Sequence, residues 1–415
     1  MGEIPPSWYT VERVAPMCGA SGPPPDGWVG CEPPGSPDRA TASPKPVIVA
    51  KPFIWIDPTK IPPRQWVYGR HYIRGFVSAT VAHGGVGKSS LSIVEALSMA
   101  SGKPLLGVLP PDRCKVWIWN GEDPQDEIDR RVMAASIHHR LTPEDFEGRL
   151  FTNSGRETEI VLATQGRGGV TIAEPVVDQL IATILANQID VLIIDPFVSS
   201  HQVAENDNGA IDRVAKTWGR IAGSTNCAIE LVHHSRKSNG AETSIEDARG
   251  ASALSGAIRS GRVLNVMTED EAAKAGVEFR RSHVRMDSGA KSNLAKPADE
   301  ATWLKLVSVD LPNGDEVGVA TAWQWPDPLD GLSAHNLRDV QKIVATGEWR
   351  DSVQAKDWVG VAVAQALGLD VEDKCDRARI NGMLKIWKAN GALVVVRKKN
   401  EKGKEQPFVV VGPPV

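Results

Sequence analysis

The feature that most constrains this chain is the run FVSATVAHGGVGKSSLSIVEAL, from Phe76 to Leu97. A β-prone apolar run leads into a glycine-rich turn, and the turn opens into a helical pattern. That order is the context in which G-x-x-x-x-G-K-[ST] cradles phosphate. Glycines let backbone N–H groups converge on phosphate oxygens, and the helix N-terminus adds positive potential. His83, Gly84, Gly85, Val86, Gly87, Lys88, Ser89 and Ser90 are therefore the expected nucleotide contacts. Lys88 should reach the β and γ phosphates, and the Ser89 hydroxyl should bind Mg2+. One position departs from the pattern: Ala82 stands where glycine usually begins the loop. Alanine is small enough to make the turn at negative φ, so the departure marks a subclass more than it threatens binding.

Acidic residues at strand ends supply the rest of a hydrolytic site. Val191-Leu192-Ile193-Ile194-Asp195 is an apolar strand ending in an acid, and downstream of a phosphate loop such an acid holds Mg2+ through water. Pro196 follows it, so the water-activating carboxylate is not next door. The strand VWIWNGEDP carries a substitute: Glu122 is placed to orient and deprotonate the attacking water. Asp123 reads better as an acid starting the next helix. IELVHHSRK ends a further strand in His233-His234, one of which is a candidate γ-phosphate sensor; the pair is a weak metal signal, because neighbours on a strand point apart. Arg249, Arg259 and Arg262 surround a helix of small residues further on, and an arginine contributes strongly to phosphoryl transfer when it meets the γ-phosphate of a neighbouring subunit.

These motifs sit in a chain of ordinary globular composition. Its 415 residues allow two domains plus tails, and the net charge of −4 leaves any nucleic-acid face to be local. Five scattered cysteines, Cys18, Cys31, Cys114, Cys227 and Cys375, form no C-x-x-C pair, so a reducing cytoplasm is expected. No apolar run of about 18 residues suggests a membrane span, and no export signal is read at the start. Eleven of the 29 prolines fall in the first fifty residues, and residues 1–50 read as a disordered tail. Residues 51–328 alternate short apolar strands (GFVSATVA, KVWIWNGE, VLIIDPF, CAIELVHH, GRVLNVM) with helical patterns over 89–101, 124–139, 174–187, 209–223 and 252–259. That alternation predicts an α/β fold with a mostly parallel sheet covered on both faces. WQWPDPLDGLS marks a boundary. In residues 329–415, three helices are expected over 334–347, 352–368 and 376–390, followed by a hairpin, which is the order of a winged helix.

Taken in order, A-x-G-G-x-G-K-S, the GED after the second strand, LIIDP followed by HQVAENDN, VHHSRK and RGASAL…R resemble the RepA-type AAA family ATPases over about residues 60–270. These are RecA-like P-loop NTPases that include the hexameric replicative helicase of broad-host-range plasmids and related phage and mobile-element ATPases. The resemblance implies ATP as the nucleotide, Lys88 and Ser89 on phosphates and Mg2+, Glu122 as catalytic base, and Asp195 on Mg2+. It implies His234 or His233 as sensor, Arg259 as arginine finger, a homo-hexameric ring with ATP between subunits, and single-stranded DNA through the ring. The loop Glu205 to Asn208 matches the family's loop after the acid-bearing strand; as a plain polar loop it would cap a helix at Asn208. The proline-rich start and the C-terminal segment depart from the compact plasmid helicases.

In that segment, residues 372–405 carry ten Lys/Arg against five Asp/Glu. Arg377, Arg379, Lys385 and Lys388 are the expected contacts to duplex DNA, with Ile380, Met383, Leu384 and Trp387 in the core and RKKNEKGKE as a wing tip. Two readings stand: an ATP-driven ring protein or helicase acting on DNA in replication, and a non-motor DNA-binding regulator whose assembly ATP switches. A small-metabolite kinase is disfavoured, since no arginine-rich lid follows the core and the second-strand acid suits water activation.

Overall fold

The structure is a computed structural model describing residues 49–235, 242–248, 250–278, 280–296, 298, 300–399 and 405–413. Two compact units divide the chain, residues 1–62 and residues 63–415. In the first, Asp57 caps a short 3-10 turn, Pro58–Lys60, by accepting from the Thr59 N–H at 2.9 Å. The tail expected over 1–50 lies outside the described residues except for its last two.

The second unit is built on a nine-stranded sheet. Its strands are β1 (Val77–Ala82), β2 (Val116–Asn120), β3 (Leu150–Ser154), β4 (Val191–Asp195), β5 (Ala228–His234), β6 (Ser260–Val266), β7 (His283–Ser292), β8 (Thr302–Asp310) and β9 (Glu316–Trp323). The spatial order is β9-β8-β7-β6-β1-β5-β4-β2-β3. The six strands from β6 to β3 pair in parallel, whereas β7, β8 and β9 add an antiparallel extension. Every residue of β1, β2 and β4 is buried, as expected for parallel strands covered on both faces. The principal helices are α1 (Lys88–Ser101), α2 (Gln125–His138), α3 (Glu174–Asn187), α4 (Asn208–Thr225), α5 (Ala251–Ala257) and α6 (Glu269–Ala275). Alternate strand residues feed two apolar clusters, one per face: Leu192, Ile194 and Leu231 pack with Trp218 of α4, and Val191, Ile193 and Val232 pack with Leu91 and Leu97 of α1.

Helix α1 is buried on nearly all sides, because a second layer covers the flank that the sheet leaves open. That layer is α2 together with β9, part of the antiparallel extension missing from the sequence reading. Its signal was present: KLVSVDLPNGDEVGVATAW is two β-rich runs around an Asn-Gly turn.

The chain closes with α7 (Ala334–Thr346), β10 (Trp349–Arg350), α8 (Val359–Leu367), α9 (Lys374–Ala389), β11 (Leu393–Lys399) and β12 (Glu405–Val411). The small sheet has the order β10-β12-β11. The helix expected over 352–368 is shorter than that. Residues 352–357 form turns, and Trp358, bridged to Arg350, leads into α8. Val340, Val363, Ile380, Met383, Leu384 and Trp387 form a separate apolar cluster, as the spacing in α9 implied. Residues 329–413 nonetheless belong to the same compact unit as the sheet: the Cys375 thiol of α9 donates to the Gly276 carbonyl beyond α6. Among the described residues no helix is long and apolar enough to cross a membrane, and Cys114, Cys227 and Cys375 are unpaired thiols.

Candidate active site

The phosphate loop takes its shape from two glycines. Gly85 and Gly87 have φ of +77° and +96°, a region that L side chains rarely adopt, and α1 begins immediately after Gly87. Ala82 needs no such freedom. It is the last residue of β1, and its carbonyl accepts from the Ser235 N–H (3.0 Å) and from Lys88 Nζ (3.1 Å). Lys88 Nζ also donates to the His83 carbonyl at 2.8 Å and lies 3.1 Å from His234 Nδ1. The lysine is thus folded back on its own loop. Burial lowers its pKa from 10.5 to about 8, although Asp195 and Glu122 work against the shift.

Asp195 ends β4 beside the loop and accepts a hydrogen bond from the Ser89 hydroxyl. Burial raises its carboxyl from 3.8 to about 6; Ser89 and Lys88 oppose the rise, and Glu122 adds to it. Among the described residues no cluster of three or more His, Cys, Asp or Glu is placed to hold a metal alone. Ser89 and Asp195 do present two adjacent hard oxygens, a donor set that suits Mg2+ completed by phosphate oxygens and water.

Glu122 reaches the same place from β2. The Asn120 side-chain oxygen accepts from the Glu122 N–H (2.9 Å) and the Asp123 N–H (2.8 Å), which turns the chain so that Glu122 lines the cavity. Asp123 borders the same cavity and is tied to Arg131 at 2.9 Å. Lys88, Ser89, Ser90, Glu122, Asp195 and His234 all border one cavity of about 730 Å³ at the C-terminal ends of the parallel strands, where ligands of open α/β sheets bind.

The structure separates residues that sequence reasoning left together. His234 borders the cavity, whereas His233 is buried with its ring 5.4 Å from that of Phe197. Arg262 is fully buried in the sheet and grips both Glu95 oxygens at 2.6 Å, so it is withdrawn as an arginine finger. Arg259 is half-buried at the start of β6, with its N–H on the Val77 carbonyl. That end of the strands is opposite the phosphate loop. Arg249 lies outside the described residues. The polar loop after β4 caps α4 one residue earlier than expected: Asp207, not Asn208, accepts from the Ala210 N–H.

Three of the four cations expected to touch DNA are engaged within the chain. Arg377 donates to the Val371 and Val353 carbonyls, Arg379 to those of Pro328 and Asp330, and Lys388 pairs with Asp351 at 2.7 Å. Lys385 lines a cleft between α6 and α9. Part of the wing tip, residues 400–404, lies outside the described residues.

Sequence reasoning missed the far wall of the cavity. Arg130 and Arg131 of α2 line it, and so do Leu306 and residues Asp315–Gly318 of the β8–β9 hairpin. No motif points to them, because they meet the phosphate loop only when the extension folds across α1.

The sheet, loop and acid-bearing strand define an α/β P-loop protein with a large, mostly parallel sheet. A family model described as an AAA domain matches residues 43–240, which include the phosphate loop, Glu122, Asp195 and His234. Among solved structures, the crystal structure of the RadB recombinase aligns at 14% identity over 57% of this chain and 89% of that chain, with a TM-score of 0.38. The domain match and the site geometry agree on a nucleotide-binding P-loop domain.

Proposed function

We propose that this chain hydrolyses ATP and couples the reaction to DNA as a ring-forming, RepA-type helicase or helicase-like ATPase of a plasmid, phage or integrated element. The convergence of Lys88, Ser89, Asp195, Glu122 and His234 on one cavity carries the ATPase part. Lys88 and the loop N–H groups hold the β and γ phosphates. Ser89 and Asp195 would hold Mg2+, which supplies positive charge against the phosphates when bound. Glu122 accepts a proton from water as its oxygen bonds to the γ-phosphorus and the bond to the β–γ bridging oxygen breaks. His234, in contact with Lys88, responds to γ-phosphate. Arg259 acts on the site of an adjacent subunit.

The fragment order of residues 329–413 supports a winged-helix reading, with three helices and a sheet of order β10-β12-β11. Because Arg377, Arg379 and Lys388 are engaged, and Lys398 lies 3.5 Å from Glu348, duplex contact would fall to Lys385 and to Arg397 and Lys399 of β11. This segment favours the second reading, a non-motor DNA-binding regulator whose assembly ATP switches.

ATPase rates with and without single-stranded DNA, alongside mass measurement in nonhydrolysable nucleotide, test the proposal. DNA-stimulated hydrolysis, a hexamer and strand displacement on a forked duplex are expected. Glu122→Gln should bind ATP but not turn it over, and Lys88→Ala should abolish hydrolysis. Hydrolysis by Lys88→Ala at the wild-type rate would sink the site assignment; ATP-dependent duplex binding without unwinding would favour the regulator.

A further inference from the structure

The phosphate loop, the acids and the sensor occupy only one side of the cavity; the β8–β9 hairpin forms the other. We propose that this hairpin, with Arg130, supplies the nucleoside half of the site: Glu316 takes a ribose hydroxyl, and Leu306 and Arg130 form the wall for the base. The proposal rests on the reading of Lys88, Ser89 and Asp195 as a triphosphate site.

Four observations carry it. The hairpin is seated on the loop: a Cβ added to Gly87 would lie 2.8 Å from Leu306 Cδ2. It is latched to the helix that follows, since the Ser90 hydroxyl donates to the Gly318 carbonyl (3.0 Å) and accepts from the Ala320 N–H (2.7 Å). Its tip is tied to α2 through Asp315 and Arg130 Nε at 2.8 Å. The volume of about 730 Å³ is that of a small-molecule pocket and exceeds what three phosphates need.

Charge then assigns the parts. Asp315 and Glu316 at the mouth would repel phosphate, so the triphosphate belongs with Lys88 and the loop glycines. A carboxylate at the mouth is suited to accept from hydroxyls, as acids do on ribose in other nucleotide folds. The Ser308 hydroxyl donates to Glu316 Oε1 and holds the side chain at the mouth of the cavity. Arg130 is held by Asp126 (2.9 Å), Glu127 (3.5 Å) and Asp315 (2.8 Å), and a planar guanidinium so fixed is a stacking surface for a base.

The test is calorimetric titration of the full chain with Mg-ATP, Mg-2′,3′-dideoxy-ATP and Mg-tripolyphosphate, the last probing the phosphate half alone. Wild type should bind ATP at least about tenfold more tightly than tripolyphosphate. Glu316→Ala and Arg130→Ala should each weaken ATP by about tenfold while leaving tripolyphosphate within about twofold, which also shows that the variants are folded. Glu316→Ala should lose the preference for ATP over the dideoxy nucleotide. Unchanged ATP affinity in both variants overturns the proposal. So does equal weakening of ATP and tripolyphosphate, or tighter binding of both, which would make the hairpin a plug. Lys88→Ala separates the two levels: if it still binds tripolyphosphate like wild type, the triphosphate site itself is misassigned, whatever the hairpin does.

Discussion

Two residues of the candidate site, which the proposed chemistry needs charged, are pushed by burial toward neutrality. Asp195 titrates near 6 instead of 3.8, and Lys88 near 8 instead of 10.5. For Asp195 the folded pKa is raised, so the unfolded chain releases its proton first and stability falls as pH rises from 3.8 to about 6. For Lys88 the folded pKa is lowered, so the unfolded chain holds more protons between about 8 and 10.5, and stability rises across that range. The window between them is where the empty protein bears both charges and where a metal-nucleotide complex relieves the cost. The rise in Tm on adding Mg-ATP should therefore be largest between about pH 6 and 8 and shrink on either side, most directly read by thermal denaturation with and without ligand. Asp195→Asn should remove the acid limb and, because Asp195 is a proposed Mg2+ ligand, also reduce the shift at every pH. A ligand-induced shift that stays flat from acid to alkaline pH would contradict the assignment. Ala82 belongs to the same scale: the loop pattern flagged it as a departure, and its position as the last residue of β1 shows why no glycine is required.

At the scale of elements, strands and helices are fastened to each other by a buried polar network that no motif announces. Arg262 of β6 grips Glu95 of α1 and donates to Thr80 of β1 at 2.8 Å, and Tyr72 donates to Glu95 at 2.8 Å. Glu230 of β5 accepts from Ser78 and from Thr80 (2.5 Å) and pairs with His71 at 2.9 Å. The network lies behind the strand and helix that carry the phosphate loop. Removing one partner of a buried pair leaves an uncompensated charge, so Arg262→Ala should cost about 3–5 kcal/mol by denaturant unfolding. A loss below about 1 kcal/mol would instead mean an exposed, weakly contributing pair. From sequence, Arg262 already fell in the apolar strand GRVLNVM while Arg259 preceded it, but only the parallel pairing of β6 with β1 shows that Arg262 is buried on Glu95.

For the whole molecule, the position of Arg259 separates a single chain from an assembly. The parallel strand from Val77 to Ala82 spans about 16 Å, and Arg259 starts its neighbour at the end opposite the phosphate loop. It is thus poorly placed for its own site, and the role proposed for it requires a neighbouring subunit. Arg259→Ala should bind ATP and fail to hydrolyse it, as should Glu122→Gln; mixing the two variants should restore activity, since some shared sites then combine an intact base with an intact arginine. Mixtures as inactive as either variant would argue against catalysis between subunits. By itself the sequence determined the strand–helix alternation, the phosphate loop, the acids at the ends of β2 and β4, and the core face of α9, because period, turn chemistry and strand-end position are local properties. The tertiary structure decided which histidine meets Lys88, which arginine is buried, that Arg377, Arg379 and Lys388 of α9 bond within their own chain, and that a hairpin some two hundred residues beyond Gly87 walls its cavity. Those outcomes depend on which strands pair and how an edge extension curls across a helix, and contacts so distant in sequence leave no pattern of their own along the chain.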